Sequence, residues 1–429
     1  MAITGRAALV ALIATIAALA LRTVTGLVVV DSLIAAAIVA DLALAGSVRQ
    51  LRMERSGDTR VMLGEVGATS LTVTNPRRRA VHGLLRDAWQ PSAGASGRVA
   101  ITIPGGGRVV VTTTLRPTRR GDKIAGKVTV RSVGPLGLAA RQGGRVVPWT
   151  VRVLPAFLSR KHLPEKLSRL RALDGQHRSL LRGQGSEFDS LREYVIGDDV
   201  RSIDWRSTAK RSDVVVRTWR PERDRRIVLV LDTGRTSAGR VAGVPRLDAA
   251  MDAALLLAAL ASRAGDRVDL LAVDRTVRAR VLGATRSDVL PLMTDAMALL
   301  DPELAESDGS LIASTLLTTA RQRCLVVLLT DLNSAALELG LLPSIGLLAS
   351  RYHVLVAATA DPRLTELSSA RGDAAAVYHA AAAERARADR ARIAALLTRR
   401  GVDVVDAPPG ELAPALADAY LNLKAAGRL

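Results

Sequence analysis

The sequence predicts an α/β protein whose C-terminal half, residues 221–429, is a mostly parallel, doubly wound sheet. An antiparallel β-sandwich (56–155) precedes it, and an N-terminal transmembrane helical hairpin (1–55) precedes that. Three observations predict this order. Apolar strand-length runs alternate with helical stretches beyond residue 221, short alternating runs broken by turn signals fill 56–155, and two long apolar runs open the chain.

The first apolar run, Ala7 to Leu21, lies between Arg6 and Arg22, and the second runs from Leu27 to Val48 with Asp31 and Asp41 inside it. The first is short for a span of roughly 20 residues, and flanking arginines that snorkel lengthen it. The small residues at Ala18-Leu-Ala20 also fit a cleaved signal peptide, but a second apolar segment follows directly and no disulfide framework lies beyond it. Arg49, Arg52 and Arg55 follow the hairpin, so the positive-inside rule places both ends, and the bulk of the chain, in the cytoplasm. Each aspartate costs roughly 2.5 to 3.5 kcal/mol at the bilayer centre, so an interfacial or packing role is expected for Asp41.

Between Asp58 and Pro155 the runs SLTVTN, RVAITI, RVVVTTTL and KVTVRSV alternate apolar and polar residues, separated by Asn75-Pro76, Pro104-Gly-Gly-Gly107 and Arg120-Gly121-Asp122. That is the texture of a sandwich, with nothing catalytic in it. The arginine clusters PRRRA and RPTRR read as solvated loops or as contacts to anionic lipid headgroups.

Residues 156–220 read as a linker followed by a charged segment. Beyond it come strands at Ile227 to Asp232, Arg267 to Asp274, Cys324 to Asp331, His353 to Pro362 and Val402 to Ala407, with Val277 to Gly283 as an antiparallel edge. Helices are predicted at Arg246 to Ala264, Ser287 to Leu300, Ser310 to Arg323, Ser334 to Ser350, Ala374 to Arg399 and Glu411 to Leu423. With strand order 3-2-1-4-5-6 the crevice at the carboxyl ends lies beside the first and fourth strands, which end in Asp232 and Asp331. There is no Gly-rich nucleotide fingerprint, no phosphate-binding loop and no His-Glu-x-x-His helix.

The formal net charge of +19 invites nucleic acid, but no reader module is recognisable and the basic residues are spread along the chain. A domain beneath an anionic bilayer accounts for the same charge. One cysteine, Cys324, allows no intramolecular disulfide and suits a reducing compartment.

Against that basic background the stretch GSEFDSLREYVIGDDVRSIDW gathers Glu187, Asp189, Glu193, Asp198, Asp199 and Asp204 with Phe188, Tyr194 and Trp205. The acids interleave with Arg192 and Arg201, as in an ion-pair brace. The aromatics suit anchors for a partner, so brace and docking surface both remain open.

This motif, continuing to RPERDRRIVLVLDTGRTS, resembles the signature of the bacterial DUF fifty-eight family. RGDKIAGKVTVRSVGPLGL and the terminal YLNLKAAGRL extend the resemblance over nearly the whole chain. The resemblance implies a membrane hairpin and sandwich joined to a von Willebrand factor A-like domain, and a MoxR-type AAA+ ATPase as partner. It also implies a metal-ion-dependent adhesion site, for which Asp232, Thr236, Asp308 and Asp331 are the matching residues and Mg²⁺ the candidate ion. Gly234 stands where that pattern has its first serine, and Arg235 lowers the attraction for a cation. The expected function is a non-enzymatic, membrane-anchored adaptor that docks a partner at Glu187, Phe188, Arg192, Tyr194, Asp198, Asp199, Asp204 and Trp205. A metal-dependent hydrolase at the Asp232/Asp331 crevice, or a nucleic-acid-binding protein, is the alternative.

Overall fold

The computed structural model describes residues 2–20, 24–180, 187–196, 198–210, 213–220, 225–285, 287–320, 322–334, 337–369 and 371–429. For 17–20, 174–180, 187–190, 218–220 and 339 it describes the backbone alone. The chain divides into two compact units, Met1–Leu154 and Pro155–Leu429.

In the first unit β1 (Ala2–Ile3) leads into α1 (Gly5–Ala20) and α2 (Val24–Leu44). The strands β2 (Arg52–Gly57), β3 (Arg60–Met62), β4 (Gly67–Thr74), β5 (Val81–Trp89), β6 (Arg98–Ile103), β7 (Arg108–Leu115), β8 (Gly121–Val133), β9 (Ala139–Val146) and β10 (Thr150–Leu154) follow. Among the described helices α2, with 21 residues, is the one long and apolar enough to cross a membrane. The 16 residues of α1 fall short of that length, so a second crossing is not established.

Strands β2, β4 and β7 form one antiparallel sheet. The other seven form a second, in which β8 pairs with β5, β9 and β10, and β3 runs parallel to β10. Every second residue of β4 is buried. Its Leu71 and Val73 meet Leu85, Ile103, Val128 and Val130 of the other sheet in one core, which alternation with period two makes available. Arg55 does not serve the positive flank expected of it. Its guanidinium is buried on Asp87, Nη1 to Oδ2 at 2.7 Å and Nη2 to Oδ1 at 2.8 Å, because Trp89 and Thr113 complete the carboxylate's partners inside the sandwich.

The second unit starts earlier than the sequence suggests. The stretch read as linker contains α3 (Leu163–Leu180), whose Leu170 is buried in the main core. A single apolar stripe on an otherwise polar helix gave little periodic signal. Next come β11 (Glu187–Glu193), α4 (Trp205–Thr208), β12 (Val215–Arg220), β13 (Arg226–Asp232), the short pair β14 (Arg240–Val241) and β15 (Val244–Pro245), and α5 (Arg246–Arg263). The remainder is β16 (Arg267–Val273), β17 (Val277–Val281), α6 (Val289–Ala298), α7 (Gly309–Thr319), β18 (Leu325–Leu329), α8 (Leu342–Arg351), β19 (His353–Thr359), α9 (Pro362–Ser369), α10 (Ala374–Arg399), β20 (Asp403–Ala407) and α11 (Pro409–Ala425).

The six-stranded sheet runs β17-β16-β13-β18-β19-β20, which is the order 3-2-1-4-5-6 within this unit. All pairs are parallel except β16 with the edge strand β17. Central strands are buried on both faces, which is why they read as unbroken apolar runs. Leu229 and Leu231 face α5, α6 and α11, while Val228 and Val230 face α7, α8 and α10. The helix expected over 334–350 is interrupted by a single wide turn at Leu337–Leu341 before α8 begins.

Candidate functional site

Strands β13 and β18 are adjacent and parallel, with Leu231 opposite Leu329, so Asp232 and Asp331 emerge at the same edge of the sheet. There the chain leaves β13 for one face and β18 for the other, which opens a crevice. A small cavity of about 30 Å³ beside Asp232 is lined by Thr236, Ser307, Thr330 and Leu337, with room on the scale of one water.

Asp232 is 8% exposed and surrounded by donors. Its Oδ1 accepts from the Gly234 amide at 2.8 Å and from the Ser307 hydroxyl, and its Oδ2 accepts from Thr330 Oγ1 at 2.5 Å and weakly from Thr236 Oγ1 at 3.5 Å. Sequence reasoning missed Ser307 and Thr330. Ser307 stood one residue from Asp308, and Thr330 one residue before Asp331, but neither had a pattern to mark it.

Asp331 turns to arginine. Arg246 Nη1 lies 2.9 Å from its Oδ2 and Arg390 Nη1 lies 2.6 Å from its Oδ1. Arg390 also holds Asp406 through two bonds, of 2.8 and 2.7 Å, and donates to the Thr359 carbonyl at 3.0 Å. Burial alone would lower the Arg390 pKa, but Asp406 and Asp331 outweigh it and push it higher still, so this guanidinium is a permanent cation.

Asp308 is committed elsewhere as well. It caps α7, accepting from the Ser310 amide at 2.9 Å, the Leu311 amide at 3.2 Å and the Ser310 hydroxyl at 2.6 Å. The Ser310 hydroxyl, with the helix amides, holds its carboxyl below the usual range.

The residues expected to hold Mg²⁺ do not fit that ion in this arrangement, since a hard cation needs carboxylate oxygens free to converge on it. Both oxygens of Asp331 are in ion pairs, Asp308 faces helix amides, and among the described residues no group of three His, Cys, Asp or Glu is placed to hold a metal. At Gly234 a Cβ would lie 2.2 Å from Ser307 Oγ, so the first serine of the adhesion-site pattern has no room. Arg235 pairs with Glu306, which also lines the cavity, rather than with Asp232 or Asp331.

The charged segment forms a two-stranded ribbon, β11 with β12, bulged between Phe188 and Ser190. The side chains of Glu187, Phe188 and Asp189 lie outside the described residues. Each remaining aspartate has a local task. Asp198 pairs with Arg192 at 2.6 Å and accepts the Val195 amide at 2.9 Å. Asp199 accepts the Arg201 amide at 2.9 Å. Asp204 caps α4 through the Ser207 amide at 2.9 Å and takes Arg217 Nε at 2.7 Å. The Arg192 guanidinium holds the Asp198 carboxyl low, and the Ser207 amide followed by Arg217 does the same for Asp204.

Asp198, Asp199 and Asp204 therefore brace the ribbon, and large apolar side chains stand outward among the exposed Arg192, Glu193 and Arg201. Ile196 is 97% exposed, Trp205 68%, and Val195 and Val200 are exposed beside them, with Tyr194 half-buried. Among the described residues no hydrogen bond or ion pair ties this segment to the Asp232/Asp331 crevice that it was expected to flank. The bonds of Asp198, Asp199 and Asp204 stay within the segment, because their partners lie between 2 and 13 residues away.

Two mycobacterial proteins are similar to this chain, "Uncharacterized protein Rv1480" of Mycobacterium tuberculosis (strain ATCC 25618 / H37Rv) and "Uncharacterized protein Mb1516" of Mycobacterium bovis. Each is 28% identical over 197 residues, which is 46% of this chain and 61% of the relative. The chain thus spans about three fifths of the length of these curated relatives. Among solved structures, the CARDB domain of the PF1109 protein from Pyrococcus furiosus aligns at TM-score 0.20 and 14% identity, over 26% of this chain and 91% of that one. The FixG-related protein from Vibrio parahaemolyticus aligns at TM-score 0.16 and 10% identity, over 24% of this chain and 95% of that one. Scores of this size do not establish a shared fold. Residues 190–396, from the braced ribbon into α10, match the family described as "Protein of unknown function DUF58".

Proposed function

We propose that this chain is a non-enzymatic, membrane-anchored adaptor whose von Willebrand A-like α/β domain carries a protein-docking ribbon. The observation that carries the reading is the pairing of outward Ile196 and Trp205 with Asp198, Asp199 and Asp204, which are engaged in holding the ribbon's shape. Large apolar side chains on a pre-shaped support are what a binding hot spot needs, since little ordering entropy remains to be lost on association. The hydrolase alternative needs a crevice carboxylate free to bind an ion or activate water, and the two arginines on Asp331 weigh against it.

The apolar α2, with α1 packed along it, supports an anchor that dips into the bilayer and returns, leaving the larger part of the chain on the cytoplasmic side. The family resemblance adds a MoxR-type AAA+ ATPase as the partner to try first. Co-expression with that ATPase and capture of the full chain tests the reading. Trp205→Ala and Ile196→Ser are expected to cut capture at least tenfold, as hot-spot truncations of about 2 kcal/mol do. Asp331→Asn, away from the ribbon, is expected to leave capture intact. Undiminished capture by both ribbon variants would remove the docking assignment.

A further inference from the structure

We infer that the joint between the anchor and the sandwich is a headgroup site for anionic phospholipid, built from Arg6, Arg79, Arg131 and Arg141 around the loop Gly134–Ala139. The inference rests on the anchor reading above, and it starts from Asp41. That carboxylate, inside the last turn of α2, is fully buried and accepts the amides of Leu136 at 2.7 Å, Leu138 at 2.7 Å and Ala139 at 2.8 Å. Gly134 is required for the approach, since a Cβ there would lie 2.3 Å from Asp41 Oδ1. The other end of the two-helix segment is fixed to the same loop. Ala2 and Ile3 pair with Ala140 and Ala139, and Thr4 Oγ1 donates to the Gly137 carbonyl at 2.6 Å.

Both helices therefore leave from, and return to, one protein surface, and that surface sets where the bilayer begins. From Val24 to Ala40 there is about 25 Å of helix, and α1 supplies about 24 Å, at ~1.5 Å per residue. Over the described residues both lengths are below a hydrocarbon core of about 30 Å, so a bilayer seated on this pair of helices would bring its phosphates close to the side chains of the joint.

Guanidinium groups ring that level. Arg141 Nε donates to the Leu42 carbonyl at 2.9 Å, Arg79 Nη1 to the Ala43 carbonyl at 3.0 Å and Arg131 Nη2 to the Ile3 carbonyl at 3.3 Å. The Arg6 guanidinium lies over Gly137, whose Cβ would come within 3.1 Å of its Nη1. Each guanidinium has five donors, so these contacts orient it and leave most donors for an oxyanion. Arg131 Nε is buried without a partner, and among the described residues none of the four is bridged to a carboxylate. In the loop Gly134–Ala139 itself Leu136 is 56% exposed, an apolar tip suited to the boundary between headgroup and acyl chain.

The test reconstitutes the full chain into nanodiscs of phosphatidylcholine, with or without an equal part of phosphatidylglycerol. Retained lipid is read by native mass spectrometry, and thermal melting is followed in parallel. Phosphatidylglycerol is expected to be retained in preference and to raise the melting temperature, with the preference falling about fivefold for each arginine removed. Arg6→Gln is the primary variant, because Arg6 caps no carbonyl; Arg79→Gln follows, with melting in phosphatidylcholine alone reporting any loss of fold. Equal retention of both lipids by the wild-type chain would overturn the site while leaving the anchor reading intact. Stabilisation by inorganic phosphate equal to that by phosphatidylglycerol would overturn it in favour of a free-anion site. A chain that does not enter the discs at all overturns the anchor reading and the site with it.

Discussion

Ser307 occupies the space that a side chain at position 234 would need: a Cβ built on Gly234 lies 2.2 Å from Ser307 Oγ, and that hydroxyl in turn donates to Asp232. One loop has no side chain at the place where the other delivers a hydroxyl.

Gly234→Ser is therefore expected to destabilise the α/β unit, by about 1 to 3 kcal/mol for overpacking a closed site. Ser307→Gly in the same chain should restore most of the loss. A melting series of the two single variants and the double variant checks it; strictly additive losses would show that the two positions do not compete.

Removing Arg390 takes one of two guanidinium partners from the buried Asp331, leaving Arg246, and strips Arg390's two bonds from Asp406. Arg390→Ala is expected to cost on the order of 3 to 5 kcal/mol, the range for stripping one partner from a buried ion pair. Arg235→Ala, whose pair with Glu306 is about half exposed, should cost under about 1 kcal/mol. Equal losses in urea unfolding would contradict the difference in burial.

Asp274 links the loops beside the crevice, accepting from Thr233 Oγ1 at 2.9 Å, the Thr276 amide at 3.0 Å and Arg278 Nε at 2.6 Å. Burial pushes its carboxyl up, but the Thr276 amide, Arg278 and Thr233 outweigh burial and hold it below the ordinary value of 3.8. A depressed folded pKa means that the folded chain takes up this proton less readily than the unfolded one. The stabilisation is thus complete above about pH 4 and is lost as pH falls through the lower folded value. In Asp274→Asn the acid limb of the stability profile should flatten, though Asp122, held low by Arg152, and Asp308 act in the same direction.

Cys324 is 6% exposed, and burial pushes its thiol up to about 12. The thiolate is the reactive form, so the native chain should resist a thiol-specific disulfide reagent at neutral pH. One equivalent is expected to react once urea unfolds the second unit. Rapid reaction in the folded state would show that β18 opens locally.

The parallel strands of the six-stranded sheet are legible in the sequence as apolar runs ended by turns, and α10 as charges repeating on a helical period. The ribbon strands β11 and β12 and the two-residue strands β14 and β15 carry no such signal. Other features were hidden for physical reasons. Helix α3 buries one stripe and α9 is only 8 residues long, so neither outweighs its polar surroundings. Arg390 sits in ERARADRAR, which reads as a solvated helix face, yet its side chain is 13% exposed because β20 brings Asp406 beneath it. Asp232 and Asp331 could be placed at one mouth from strand order alone. Their partners could not, since Arg246 and Arg390 lie 85 and 59 residues from Asp331 in the chain.

Asp41 and the first of its amides are separated by 95 residues, so the carboxylate leaves the ribosome well before the loop that will satisfy it. At ~5 to 20 residues per second that interval is about 5 to 20 s. On the anchor reading proposed above, the end of α2 carries during translation an uncompensated charge that prefers water to hydrocarbon, which would set a stop against the helix sliding further inward. When Leu136 to Ala139 arrive, the same side chain would change from a brake into a latch, and the sandwich would close onto a helix whose depth had already been fixed.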